Sequence, residues 1–315
     1  MASGKLESLS GAVVETLSLL GTEDPNLSVI ESDDSMGVGE RSFAQLFPAR
    51  FRSIPGDGLD ALRIAIEDAS KGSMVVVSLP PGAAVRGHEL LGRAAARGDI
   101  RLTVLCAARP THVSPGGKSA GVAGLNELEL LRSLPRIQLV VPPDAPTAQS
   151  VIRCAAASIG VFCIQLAAGS LPVVSDGRFE LGRARLLRPG GDLTIAAIGS
   201  AVALALDAAV ELEGVGVHAR VLDLVSLKPF DVKALVRAAG ETGAILTVEP
   251  QNAVAGIGAL VASTTSESQP VPVRRLGAPD LEPSGATGAS GEPWLTRERL
   301  LEEAWELLRM KGKVQ

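Results

Sequence analysis

The chain has 315 residues, 46% of them apolar and 21% charged, with a formal net charge of −5. This supplies apolar matter for full cores and length for two domains of ordinary size, and it excludes a disordered polyelectrolyte. The lysines and arginines are scattered, with no basic stripe to track a phosphate backbone, so no nucleic-acid partner is expected. No apolar run approaches the ~20 residues that cross a bilayer, and the first residues lack a signal peptide's basic and apolar regions. Neither a membrane association nor export is expected, and the localisation is read as cytoplasmic. Cys106, Cys154 and Cys163 form no CxxC pair and read as core thiols of a reducing compartment. Tyrosine is absent and aromatics are 3%, so stacking surfaces are scarce.

In chain order, short apolar runs bounded by turn residues predict buried parallel strands at Leu27–Glu31, Met74–Leu79, Leu102–Cys106, Gln138–Val141 and Phe162–Leu166. Helix-length segments lie between them at Asp60–Ser70, Glu89–Ala96, Asn126–Ser133 and Thr147–Ala157. Such alternation predicts α/β architecture with two doubly wound domains: 1–172, a linker over 173–190 rich in Pro, Gly and Asp, and 191–315. In the second domain, strands are expected at Leu193–Ile198, Val217–Leu222, Ala244–Val248 and, at an edge, Val271–Leu276. Helices are expected at Ala201–Glu213, capped by Ser200, at Val232–Ala239, capped by Asp231, at Gly256–Ser263 and at Thr296–Met310. The last carries acids early and lysines late, which matches the helix dipole.

Several pieces of sequence carry a resemblance. Pro48, Arg50, Phe51, Asp60-Ala61, Ile64-Ala65, Ala69 and Gly72 follow the spacing of the "PxRF…GIAEQNA" segment of the transketolase family. Thr111-His112-Val113-Ser114, Leu130 through Pro135 (LLRSLP) and Val141 through Ala145 resemble that family's "TH-x-S", "LLRSIP" and "PaDa" pieces. Further on, Ser226 through Asp231 (SLKPFD), Thr242 through Glu249 and Gly256-Ile257-Gly258 are similar to pieces of its C-terminal domain. The ordered set covers about 90% of the chain, and order and spacing make it specific where single pieces are weak. The resemblance implies a thiamine diphosphate-fold pyrimidine domain followed by a transketolase C-terminal domain, as in split transketolases. More distantly it reaches the β subunits of 2-oxoacid dehydrogenases and deoxyxylulose-phosphate synthase.

The Gly56-Asp57-Gly58 tripeptide resembles the metal-binding GDG of such enzymes, which needs an Asn about 25–30 residues later to complete one Mg²⁺ site. The next Asn is Asn126, so the GDG reads as a turn and no metal ligand is assigned. Thiamine diphosphate and Mg²⁺ would then bind only through a partner chain that supplies the diphosphate-binding domain, or an active paralogue would serve as partner, in a hetero- or homo-oligomer.

The resemblance also marks losses. The family's activating glutamate falls on Gly58, leaving Asp57 as the adjacent acid that could act in its place. The aromatic wall of the cofactor pocket falls on Pro80 and Ala83. The paired arginines that hold a sugar phosphate fall on Gln165 and Ala168, which cannot make the same charge-assisted bonds. Only His112 keeps a substrate-phosphate position. Glu249 is expected to cap the Gly-rich turn that follows it, and His88 and His218 to lie on the surface. The expected function is a pseudo-catalytic or structural and regulatory subunit of a thiamine diphosphate-type two-component assembly. The alternatives are a catalytic subunit for C2 ketol transfer between sugar phosphates with an unorthodox site, and the same fold binding a different small ligand.

Overall fold

The computed structural model describes residues 5–33, 35–37, 42–107, 127–278 and 295–312. The described residues up to Leu181 form one compact unit and those from Gly182 form a second.

In the first unit the strands are β1 (Leu6–Ser8), β2 (Leu27–Ser32), β3 (Phe51–Ile54), β4 (Met74–Leu79), β5 (Arg101–Ala107), β6 (Ile137–Val140), β7 (Gly160–Leu166) and β8 (Ser170–Pro172). The helices are α1 (Leu9–Glu23), α2 (Phe43–Leu46), α3 (Leu59–Ser70), α4 (Ala83–Arg86), α5 (His88–Arg97), α6 (Glu127–Ser133) and α7 (Ala145–Ala157). The main strands run in the order β6-β7-β5-β4-β2-β3, and every pairing among them is parallel. A parallel sheet covered by helices buries both faces, which is why β4 reads as the unbroken apolar run Met-Val-Val-Val-Ser-Leu and is buried throughout. Strands β1 and β8 pair antiparallel by themselves, Leu6 opposite Pro172.

Local chemistry sets the helix starts. Asp144 caps α7, its Oδ1 accepting from the Thr147 amide at 3.0 Å and its Oδ2 from the Val174 amide at 3.0 Å. The motif residue Arg50 has a structural task. It donates to Gly21 O at 2.7 Å and Asp24 O at 2.9 Å, and its guanidinium lies 4.0 Å from the Phe47 ring centroid. It thereby satisfies carbonyls left open at the end of α1.

The second unit holds β9 (Arg185–Arg188), β10 (Leu193–Ala197), α8 (Ala201–Glu213), β11 (Ala219–Asp223), β12 (Ser226–Lys228), α9 (Val232–Thr242), β13 (Ile245–Asn252), α10 (Ile257–Ser268), β14 (Val273–Ala278) and α11 (Arg297–Met310). Its sheet has the order β14-β13-β10-β11-β9, parallel except for the antiparallel β9. Within 173–190, the segment read as a linker, Arg185–Arg188 form β9 and pair with β11. Asp231 caps α9 through the Ala234 amide at 3.0 Å, and Thr296 caps α11 through the Arg299 amide at 3.2 Å. Ser200 does not cap α8: its φ of −61° and ψ of −19° are already helical, so its hydroxyl is not aimed at the first-turn amides. Instead Ile198 O and Gly199 O accept from the Ala201 and Val202 amides. Among the described residues no helix is long and apolar enough to cross a membrane.

Candidate functional site

Open parallel sheets collect their sites beyond the carboxyl ends of the strands. In the first unit Leu79, Cys106 and Gln165 stand in one row across β4, β5 and β7 at that edge. The chain leaving β3 turns through Gly56, Asp57 and Gly58 into α3, and the chain leaving β4 passes through Pro80 into α4.

Three of the residues singled out by sequence meet here. Gly58 is buried with a φ of +93°. A Cβ placed on it would lie 2.9 Å from both Ala83 Cβ and Pro80 Cδ and 3.4 Å from Leu79 Cδ2. Both the left-handed backbone and the packed surroundings therefore favour glycine. Asp57, next in the chain, points the other way. Its side chain is 60% exposed, with Oδ2 3.3 Å from Arg86 Nε and Oδ1 accepting from the Leu59 amide at 3.1 Å. Arg86 Nη2 also donates to the Asp57 carbonyl at 2.6 Å. From the β2 side, Ser32 Oγ donates to Gly56 O at 3.0 Å, and Asp33 Oδ2 accepts from the Gly56 amide at 3.2 Å. The turn is held from both flanks.

His112 and the rest of Thr111–Ser114 lie outside the described residues. Gln165 is buried, whereas Ala168 is exposed. His88 and His218 are exposed. Cys106 and Cys163 are buried and Cys154 is half-buried.

Sequence reasoning missed two groups at this edge. Glu127, in the first turn of α6, is buried, and its Oε1 has no hydrogen-bond partner among the described residues. Burial pushes its carboxyl up to about 7, against the smaller opposing influence of the Ala84 and Gly82 amides, Arg86 and Gln165. Glu129 is likewise pushed up to about 7 by burial, and neither of its oxygens has a partner among the described residues. The Cys106 thiol is pushed well above its ordinary value by a hydrogen bond to Cys163, by burial and by the nearby Glu127. Acids in a first helical turn look like dipole partners, which hid Glu127. The usable signal was its spacing: Glu127 shares a helix face with the core residue Leu131, four positions on.

The second unit has a different buried acid at its own strand ends. Glu249 on β13 is fully buried, Oε2 accepting from the Ile257 amide at 2.7 Å and Oε1 from the Gly258 amide at 2.9 Å. It caps α10, as its sequence position suggested. A Cβ on Gly256 would collide with that carboxylate.

Two α/β units with parallel sheets, one presenting a turn and a short helix beyond its strand ends, define a doubly wound protein of the site-at-the-edge class. A model described as the transketolase C-terminal domain matches residues 182–295. One of the subunits of the apulose-4-phosphate transketolase of Phocaeicola vulgatus is 34% identical over 278 residues, covering 84% of this chain and 86% of that one. The 6-deoxy-6-sulfo-D-fructose transketolase subunit SqwH of a Clostridium species is 28% identical over 290 residues, covering 86% and 85%. A solved structure described as "Split gene transketolase, inactive beta4 tetramer" superposes with a TM-score of 0.84 at 29% identity, covering 98% of this chain and 100% of that one. The chain belongs to the transketolase family.

Proposed function

We propose that this chain is the pyrimidine-side and C-terminal subunit of a two-component transketolase-type assembly, and that its own edge no longer supplies the activating carboxylate. The names of the similar proteins, one a lettered subunit of a transketolase and the other a split gene transketolase, support the two-component form. A separate chain would then carry the diphosphate and Mg²⁺ site of thiamine diphosphate.

The observation that carries the second half of the proposal is Gly58. The residues at this edge do not fit the pyrimidine end of the cofactor. The position that resembles the family's glutamate has no side chain, and Pro80 and Ala83 fill the space where one would begin. Asp57 is turned to solvent and committed to Arg86. Pro80 and Ala83 offer no aromatic face on which a ring could stack. A group that activates a cofactor by proton transfer has to reach it within hydrogen-bond distance, and neither Gly58 nor Asp57 meets that need from this edge. The role left to the chain is structural or regulatory.

A second reading, a working subunit for ketol transfer between sugar phosphates, draws support from the two relatives whose names describe transketolase subunits at 34% and 28% identity. Calorimetry with thiamine diphosphate and Mg²⁺ separates the two. The chain is titrated alone and mixed with a chain that carries the GDG…N segment. Cofactor heat only in the mixture, with no sugar-phosphate turnover, is the expected result. Turnover in the mixture that disappears in Asp57→Ala would establish the second reading and overturn the first.

A further inference from the structure

Two aspartates, one in each unit, do the same double task. Asp144 caps α7 through Oδ1, and its Oδ2 accepts from the Val174 amide at 3.0 Å. Asp231 caps α9 through Oδ1, and its Oδ2 accepts from the Ala184 amide at 3.1 Å. One carboxylate thus holds both the first turn of a helix and an amide of residues 173–190. Neighbouring hydroxyls strengthen each hold. Thr147 Oγ1 lies 2.9 Å from Ser175 Oγ, while Ser226 Oγ accepts from the Gly182 amide at 3.1 Å and donates to Pro229 O at 2.7 Å. The approach is close at both ends: a Cβ on Gly177 would lie 2.8 Å from Pro146 Cβ, and one on Gly182 3.0 Å from Pro229 Cγ. Asp144 and Val174 both belong to the first unit, Asp231 and Ala184 both to the second.

We propose that residues 173–190 act as a strap with two clasps, and that release of either clasp uncaps the helix held by the same aspartate. Burial sets the strength of the coupling. Asp144 is fully buried. With the Val174 amide gone, its Oδ2 would be a carboxylate oxygen without a donor and out of reach of water, which is costly. Turning the side chain outward relieves that cost and takes Oδ1 off the Thr147 amide. Asp231 is 9% exposed, so water can stand in for the Ala184 amide and the cap is more readily kept. The first clasp is therefore the strongly coupled one.

Placement gives the first clasp its reach. Only residues 141–144 separate β6 from α7. The start of α7 therefore stands at the carboxyl edge of the first sheet, the edge that also carries the Gly56–Gly58 turn. Release of Val174 loosens backbone at that edge from a segment that lies outside it. Linkage makes the effect reciprocal: whatever loosens the first turn of α7 also frees the strap. The inference does not depend on whether the edge is catalytic.

Amide hydrogen exchange of the full chain tests it. Val174→Pro deletes the strap's donor and leaves Asp144 and α7 as they are. The Thr147 amide is then expected to exchange at least about tenfold faster, while Ala234 and the core amide of Val77 on β4 keep their wild-type rates. Ala184→Pro should speed Ala234 by only about threefold and leave Thr147 unchanged. An unchanged Thr147 amide in Val174→Pro, or a loss of protection shared equally by Val77, overturns the proposal. So does a larger effect at Ala234 than at Thr147, since burial would then not set the coupling. Should Val174→Pro fail to fold, exchange of the wild type in urea below its unfolding transition takes its place. Val174 and Thr147 opening together, at one free energy below that of Val77, is the supporting result. A Thr147 amide that stays protected while Val174 opens overturns it.

Discussion

Glu127 and Glu249 are both buried glutamates at the strand-end edge of a parallel sheet, one in each unit, and their surroundings could hardly differ more. Glu249 sits under the start of α10 with a backbone amide on each oxygen, at 2.7 and 2.9 Å. Glu127 sits at the start of its own helix, where the Gly82 and Ala84 amides at the start of α4 favour its charge, yet burial outweighs them and Oε1 has no partner among the described residues. Burial is nearly the same and donor supply is not. The lesson is that a buried acid is a structural fixture where amides reach both of its oxygens, and a titrating group where burial outweighs the donors it has.

The largest expected effect tests the fixture. Glu249→Gln places an amide group against one of two amide donors, and should cost about 3 kcal/mol, the range for losing hydrogen bonds to a charged acceptor. The midpoint of denaturant unfolding measures it, and a cost below ~1 kcal/mol would show that α10 does not need this cap.

Next comes the titrating group. The Glu127 carboxyl in the folded chain lies at about 7, above its unfolded value of 4.5. Its contribution to stability is thus fully present below pH 4.5 and is lost as pH rises through 7, on the order of 3 kcal/mol in all. Glu129, also raised to about 7, adds to the same slope. Glu127→Gln should flatten the fall of stability between pH 5 and pH 8 without abolishing it. At pH 8 the variant should match or exceed the wild type, opposite in sign to Glu249→Gln. Unfolding curves at pH 5 and pH 8 decide this, and an unchanged slope would remove Glu127 from the account.

The smallest effect concerns Asp57. Its pair with Arg86 is solvent-exposed on both sides, so Asp57→Ala should shift stability by about 1 kcal/mol or less. A larger loss in thermal unfolding would mean that the turn depends on Asp57 far more than its exposure suggests.

Much of the fold was legible because parallel strands announce themselves as apolar runs between turn residues. Met74–Leu79 and Ala201–Glu213 have the bounds their sequences indicate. Two kinds of element escaped sequence reasoning. Helix α1 buries Leu9, Val13, Leu17 and Leu20, a plain helical spacing, yet it precedes the first strand that the apolar runs mark. Strands β1, β8 and β9 are short, and pairing across long sequence separations defines them where local pattern does not. At the edge, the meeting of Gly58 with Pro80 and Ala83 could be anticipated from the family resemblance alone. The orientation of Asp57 could not, because it depends on Arg86, 29 residues along the chain. Glu127 was hidden for the reason that makes it interesting: its neighbours are backbone and sulfur from other elements, which leave no mark in its own segment.

One modest feature of the fold reaches beyond the strand-end edge. Strands β1 and β8 pair Leu6 with Pro172, and the Val173 amide donates to Lys5 O at 3.0 Å. The places where the chain enters and leaves the first unit are therefore stitched side by side. A module with adjoining ends can be grafted, permuted or exchanged as a cassette with little strain on its host. Asp144 and the Val174 amide extend that stitching past β8, within a compact unit whose described residues run through Leu181.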